Sequence, residues 1–263
     1  MHEVGAIEFS GHKVLTLPSH DGKVSADDVE RYVKRFYGNG NYEHMVFPGM
    51  VYISHPTEYG TLYSAKELEE LSRVCRENRL KFFLDGARPG YGLGADGTDV
   101  TLPLIDRFCD VFYIGGTKVG ALNGEAIVFP GGKEPSHFLT RIKQHGALFA
   151  KGRLVGVQFA ALFRDGLYCR ISRNAIDRAK EIRRIFEDAG CSFFIDSPTN
   201  QQFVILENSV LRELSKYVEY GFWEEYDEDH TVVRFASSWA TTGDGIDQLR
   251  RAVDLCVKNR KIG

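Results

Sequence analysis

The chain has 263 residues, 43% of them hydrophobic and 26% charged, a globular composition long enough for one large or two modest domains. Its net charge of −3 gives no reason to expect nucleic acid or an anionic membrane as partner. No apolar run approaches the length of a bilayer span, and the opening MHEVGAIEFS lacks a basic segment followed by an apolar core, so a cytoplasmic protein is expected.

In chain order, the opening HEVGA is not a zinc-binding H-E-x-x-H helix, because Ala6 stands where the second histidine belongs. The runs MVYIS (50–54), KFFLD (81–85), VFYIGG (111–116) and EAIVF (125–129) are continuously apolar and rich in β-formers. That pattern predicts strands covered on both faces. Between the first two lies SAKELEELSRVCRENR (64–79), with Leu68, Leu71 and Val74 at helical spacing. Ser64 fits an N-cap and Glu67 its capping-box partner. Strand, helix, strand implies a right-handed crossover and a parallel pair.

Beyond FPGGKEP (129–135) the pattern turns mainly helical, with a long amphipathic stretch, SRNAIDRAKEIRRIFEDAG, closed by Gly190. CSFFIDS, QFVILEN and TVVRFASSW then read as strands, and LRELSKYVEYG and GIDQLRRAVDLCVKN as helices. The expectation is an α/β fold: a large domain with a mostly parallel sheet over 1–150, then connecting helices and a small α+β domain over 151–263. The five cysteines (Cys75, Cys109, Cys169, Cys191, Cys256) are scattered and never form a C-x-x-C pair. They read as reduced thiols, and no metal site is expected.

Two nucleotide motifs fail. GYGLGA (90–95) nominally fits a dinucleotide fingerprint, but Gly86 to Pro89 separate it from its strand and no helix is expected to open after it. GGTKVG reverses the order of a phosphate loop. What remains is a pair, FLDGAR (83–88) and GGTK (115–118). Asp85 ends one apolar strand and Lys118 follows another, and in an open parallel sheet ligands sit beyond the carboxyl ends of strands. An Asp-Gly turn or a solvated loop lysine is ordinary when taken singly. Together, each with a buried strand leading to it, they point to one crevice.

An aspartate and a lysine meeting there suit pyridoxal phosphate. The lysine amine can form a Schiff base with the aldehyde carbon, while the carboxylate keeps the pyridinium nitrogen protonated so that the ring takes up electrons. On this reading the glycines around the lysine make room for the ring, and Thr117 offers a hydroxyl. The residues alone carry the argument no further.

The string FLDGARPGYGL…DVTLPLIDRFCDVFYIGGTKVGALNGEAIVF resembles the low-specificity L-threonine aldolases, within the bacterial-type β-eliminating lyases. GHKVLTLPSHDGKVSADDVERYV, YISHPTEYGTLYS, GALFAKGRLVGVQF and VVRFASSWATT extend the likeness along the whole chain. The resemblance implies a fold-type I pyridoxal-phosphate lyase that cleaves L-threonine or L-allo-threonine to glycine and acetaldehyde, working as a homodimer or homotetramer. Lys118 then matches the Schiff-base lysine and Asp85 the pyridinium partner. Arg88 and Arg234 match the arginines that hold the substrate carboxylate, a task suited to the guanidinium fork. Arg153 resembles an arginine that reaches a cofactor phosphate, in its own or a neighbouring subunit.

Two departures stand out. Where many relatives carry a histidine after the strand, this chain has Glu58, beside Thr57 and three residues after His55. The base for the β-hydroxyl proton is therefore Glu58, His55 or a phosphate-bound water. MHEVGAIE also matches a segment well inside a family member, so the phosphate loop and ring-stacking histidine of the family have no counterparts, and His2 does not inherit that histidine's role. Weak cofactor binding and little activity follow as expectations. The alternatives are a lyase for another β-hydroxy or β-substituted amino acid, or a silent homologue.

Overall fold

Side-chain alternation decides which way each strand of the first sheet faces. The computed structural model describes residues 3–257; His2 lies outside them. A short helix α1 (Val4–Phe9) and a longer α2 (Ala26–Tyr37) precede the first strand. Ser25 caps α2 by accepting from the Asp28 N–H at 3.1 Å. Then follow β1 (Met50–Ser54), α3 (Ala65–Glu77), β2 (Lys81–Asp85), α4 (Pro89–Leu93), α5 (Leu102–Phe108), β3 (Val111–Gly115) and β4 (Glu125–Val128). The capping box on α3 forms as the sequence predicts, with the Ser64 hydroxyl and the Glu67 carboxylate each serving the other's backbone N–H.

The four strands lie in the order β1-β2-β3-β4. β1, β2 and β3 run parallel, and β4 returns antiparallel along β3. Val51, Ile53, Phe82, Leu84, Phe112 and Ile114 all face α2, α3 and α5 and are buried. Among the described residues the opposite face is only partly covered, contrary to the two-sided burial expected from the apolar runs: Asp85 is buried there and Phe83 and Tyr113 are half-buried. Met50 is 51% exposed, Tyr52 38% and Ile127 57%. Continuous apolar strands meet that expectation only where a second layer packs on them.

The helical stretch consists of α6 (Phe138–Gln144), α7 (Arg153–Leu162) and α8 (Leu167–Asp188). The second sheet has β5 (Ser192–Phe193), β6 (Gln201–Glu207), β7 (Gly221–Glu225) and β8 (His230–Ala236), all antiparallel in the order β5-β6-β8-β7. Helices α9 (Asn208–Leu214) and α10 (Gly243–Cys256) pack with α8 against this sheet. LRELSKYVEYG therefore stops being helical at Leu214, and Gly221 opens strand β7, which the helical reading of that run concealed. The last predicted helix starts at Gly243, capped by Thr242, and its final residues 258–259 fall outside the described range.

Each sheet has its own apolar core, and α8 serves both. Ala175 and Ile176 belong to the first, and Ile182, Ile185 and Phe186 to the second. No helix among the described residues is long and apolar enough to cross a membrane. Of the five cysteines, Cys75, Cys109 and Cys256 are buried, Cys191 is half-buried and Cys169 is exposed.

Candidate functional site

Two neighbouring parallel strands bring the aspartate and the lysine together. Asp85 is the last residue of β2, and Lys118 sits in a single 3-10 turn, Thr117–Val119, just past β3. The strand ends are clamped backbone to backbone, with the Gly115 N–H donating to the Gly86 carbonyl at 2.7 Å. A Cβ on Gly115 would lie 2.0 Å from the Ala87 oxygen, and one on Gly86 2.0 Å from the Tyr113 oxygen. Only glycine permits that approach.

The remaining glycines of this turn are also filled by protein. A Cβ on Gly116 would meet Phe159 at 2.8 Å, one on Gly124 would meet Val155 at 2.4 Å, and one on Gly120 would meet Ile171 at 3.1 Å. These glycines let α7, α8 and the strand ends close on the lysine turn; they do not clear space for a ring.

The turn itself is braced by three hydrogen bonds from two side chains. Glu125 accepts from the Gly116 N–H at 2.6 Å and from the Thr117 hydroxyl at 3.0 Å. The buried Tyr91 hydroxyl donates to the Lys118 carbonyl and accepts from the Trp239 N–H at 3.2 Å, tying the turn to the segment after β8. Neither Glu125 nor Tyr91 was singled out from sequence. Glu125 carries a faint signal, an acid opening an otherwise apolar strand, and Tyr91 carries none.

Burial of the ammonium, reinforced by the Arg88 guanidinium, pushes Lys118 below the ordinary lysine range against the opposing pull of Glu58, Asp85 and Glu125. Arg88 is also shifted down, chiefly by burial, with Glu58 and Asp85 pulling up and Arg234 pushing down. The structure thus gathers Asp85, Lys118, Arg88, Glu58 and Arg234 into one electrostatic group. Arg234 lies on β8, where its guanidinium donates to the Gln201 oxygen at 3.1 Å and stands 5.7 Å from the Trp223 ring centre. Among the described residues neither Arg88 nor Arg234 has a carboxylate ion pair, so two guanidiniums remain open to an anion. Glu58 is held between the lobes by its neighbours. Its carbonyl accepts from Gln201 at 3.4 Å, and Tyr59 packs edge-on against Trp223 at 5.3 Å.

The side chains of the other candidates are engaged with other partners or exposed. His55 is fully buried, its Nδ1 accepts the Tyr63 N–H at 3.3 Å, and burial lowers its pKa to about 4. The charges it senses are Glu67, Asp99 and Lys23, none of them in the lysine group. The backbone of His55 lies beside the site, its N–H donating to the Asp85 carbonyl at 2.9 Å, while its imidazole is turned to Tyr63. The Thr57 hydroxyl is taken up by Thr61, at 2.7 Å to its hydroxyl and 3.2 Å to its N–H. Thr117 spends its proton on Glu125. Arg153 is exposed at the start of α7. Among the described residues no group of three or more His, Cys, Asp or Glu is placed to hold a metal ion.

This donor set fits pyridoxal phosphate at its reactive end: an amine shifted towards its neutral form, a buried carboxylate facing the same group, and two unpaired guanidiniums. A mostly parallel sheet carrying a lysine and an aspartate beyond adjacent strand ends defines the class of fold-type I enzymes. The family profile described as beta-eliminating lyase matches residues 1–208. The chain belongs to the beta-eliminating lyase family, on its threonine aldolase branch. A low specificity L-threonine aldolase of Pseudomonas sp. (strain NCIMB 10558) is 32% identical over 218 residues, covering 81% of this chain. The chain spans 61% of that relative's length. A solved structure of Leishmania major threonine aldolase superposes with a TM-score of 0.90 at 38% identity, over 100% of this chain and 74% of that one. A pyridoxal-phosphate-bound C-S lyase from Staphylococcus hominis, at 16% identity and a TM-score of 0.55, covers 90% of this chain and 61% of its own, and shares the fold.

Proposed function

We propose that the chain is a pyridoxal-phosphate-dependent lyase that cleaves L-threonine or L-allo-threonine to glycine and acetaldehyde. The observation that carries the reading is the convergence of Lys118, Asp85 and two unpaired guanidiniums beyond the carboxyl ends of adjacent parallel strands. The family supports it, and so do the names of the relatives in Pseudomonas and Leishmania.

Lys118 Nζ would hold the cofactor's aldehyde carbon, and the Asp85 carboxylate its protonated ring nitrogen. Bound there, pyridoxal phosphate supplies an electron sink for the bond that breaks at the amino acid's α-carbon. Arg88 and Arg234 grip the substrate carboxylate in bidentate fashion, which fixes the rotation about the α-carbon and so decides which bond is aligned to break. Glu58, whose carboxylate, unlike those of Asp85 and Glu125, has no hydrogen-bond donor among the described residues, takes the β-hydroxyl proton as the Cα–Cβ bond breaks and the aldehyde leaves. The imidazole of His55, fully buried with Nδ1 accepting from the Tyr63 N–H, is the less suited of the two candidates for that proton. The same reading carries assembly as a homodimer or homotetramer. Leu148, Phe149, Leu154 and Val157 are exposed beside Arg153, an apolar patch suited to a second copy.

The test is borohydride reduction of the protein mixed with pyridoxal phosphate, followed by peptide mapping, beside an aldehyde-release assay on a panel of β-hydroxy amino acids. Label on Lys118 with acetaldehyde from threonine is expected. Label on another lysine with Lys118 unmodified would sink the assignment, and aldehyde from other members of the panel alone would move the substrate.

A further inference from the structure

The buried carboxylate of Asp85 is 5% exposed and has no lysine or arginine ion pair among the described residues. Three hydrogen-bond donors hold it instead. The Tyr113 hydroxyl and the Ala87 N–H, the latter at 2.9 Å, both donate to Oδ1, while the Tyr52 hydroxyl donates to Oδ2. A carboxylate oxygen offers about two lone-pair directions. Oδ1 is therefore filled, and Oδ2 keeps one free.

The two phenols come from the strands on either side. Tyr52 lies on β1 and Tyr113 on β3, and both share the partly covered sheet face with Phe83 and Asp85. Phe83 is the wedge between them, stacked on Tyr52 at 5.1 Å with an interplanar angle of 8° and tilted against Tyr113 at 6.3 Å. With both rings packed against one phenylalanine, neither hydroxyl can swing away from the carboxylate without breaking its contact with Phe83. Burial and the nearby Asp85 charge raise both phenols' pKa, so they remain donors at any working pH.

We infer that Tyr52 and Tyr113 are positioning residues that fix the plane of the Asp85 carboxylate and leave a single Oδ2 lone pair for a protonated ring nitrogen. A merely structural role, in which the phenols only satisfy a buried charge, would place no demand on the ligand's ring atom. The inference rests on the proposed pairing of Asp85 with the cofactor's nitrogen.

The experiment compares dissociation constants, read by absorbance titration, for pyridoxal phosphate and for its 1-deaza analogue, which carries C–H in place of the ring nitrogen. The original chain should prefer the nitrogen ligand. Tyr52→Phe and Tyr113→Phe should each lower that preference, and together by about tenfold, the loss of one hydrogen bond to a charged group, with deaza affinity unchanged. A preference that stays the same or rises, or an equal loss on both ligands, overturns the inference. The single variants each keep one phenol and decide the matter if the double variant fails to fold. Asp85→Asn separates the two readings. If it abolishes the preference while the tyrosine variants leave it intact, only this inference fails. If it has no effect on the preference, the pairing of Asp85 with the ring nitrogen fails.

Discussion

Replacing Tyr91 with phenylalanine removes one oxygen from a side chain that is 1% exposed, and that oxygen makes two hydrogen bonds. It donates to the Lys118 carbonyl and accepts from the Trp239 N–H at 3.2 Å. Losing a bond costs about 1 kcal/mol net, whereas leaving a buried partner unsatisfied costs about 1–3 kcal/mol. The Lys118 carbonyl falls in the second class. Trp239 is 44% exposed, so water can replace much of what its N–H loses. The sum is about 2–4 kcal/mol, which for a chain of this size lowers Tm by about 5–10 °C. Urea unfolding and scanning calorimetry read the stability, and a pyridoxal phosphate titration reads the loosened lysine turn. A Tm within about 1 °C of the original chain, with unaltered cofactor affinity, would refute the view that Tyr91 braces Lys118.

His55 gives a pH prediction. Its folded pKa is about 4 against about 6.5 when unfolded, so below pH 6.5 the unfolded chain takes a proton that the folded one refuses. Its contribution is fully present above pH 6.5 and is lost as pH falls towards 4, by about 3 kcal/mol at 1.36 kcal/mol per pH unit. Urea titrations of the original chain and His55→Asn at pH 7 and 4.5 should show a steeper loss in the original; equal slopes would dismiss the burial argument. Gly115→Ala forces a Cβ to within 2.0 Å of a backbone oxygen, overpacking that costs about 1–3 kcal/mol or more. Denaturation at wild-type urea concentration would show that the strand-end clamp is not needed. Arg234→Lys replaces the fork with a point charge and should raise KM for threonine by about tenfold, one charge-assisted bond's worth, more than it lowers kcat. An unchanged KM removes Arg234 from the site.

Most of the alternation between sheet and helix was legible because local signals announce it. Ser64 and Glu67 mark the start of α3, and Gly190 marks the end of α8. The parallel pairing of β1 with β2 follows from the helix between them. The partly open sheet face was not legible, since an apolar run records what a strand can bury and not what packs on it. The Lys118 turn shows the same limit. GGTK drew attention because glycine could make room, whereas the structure spends those glycines on contacts with Ala87 and Phe159, partners remote in sequence. His55 and Thr57 were candidates by proximity along the chain to Glu58. The turn that presents Glu58 folds both of them inward, onto Tyr63 and Thr61. Tyr52 and Tyr113 stood inside two quoted strands as ordinary β-formers, and only the parallel register shows that they flank Asp85.

Helix α8 runs 22 residues, about 33 Å at 1.5 Å per residue, with one end in each apolar core. Neither core can release it without stranding an apolar stripe of the other in water. The two lobes are therefore coupled in how they melt. Amides along its middle, around Ala179, should exchange with solvent only through global unfolding, while the ends of the sheets open locally. The chain then behaves as one cooperative unit with two cores, and any change that weakens the centre of this helix destabilises the lysine turn and Arg234 together.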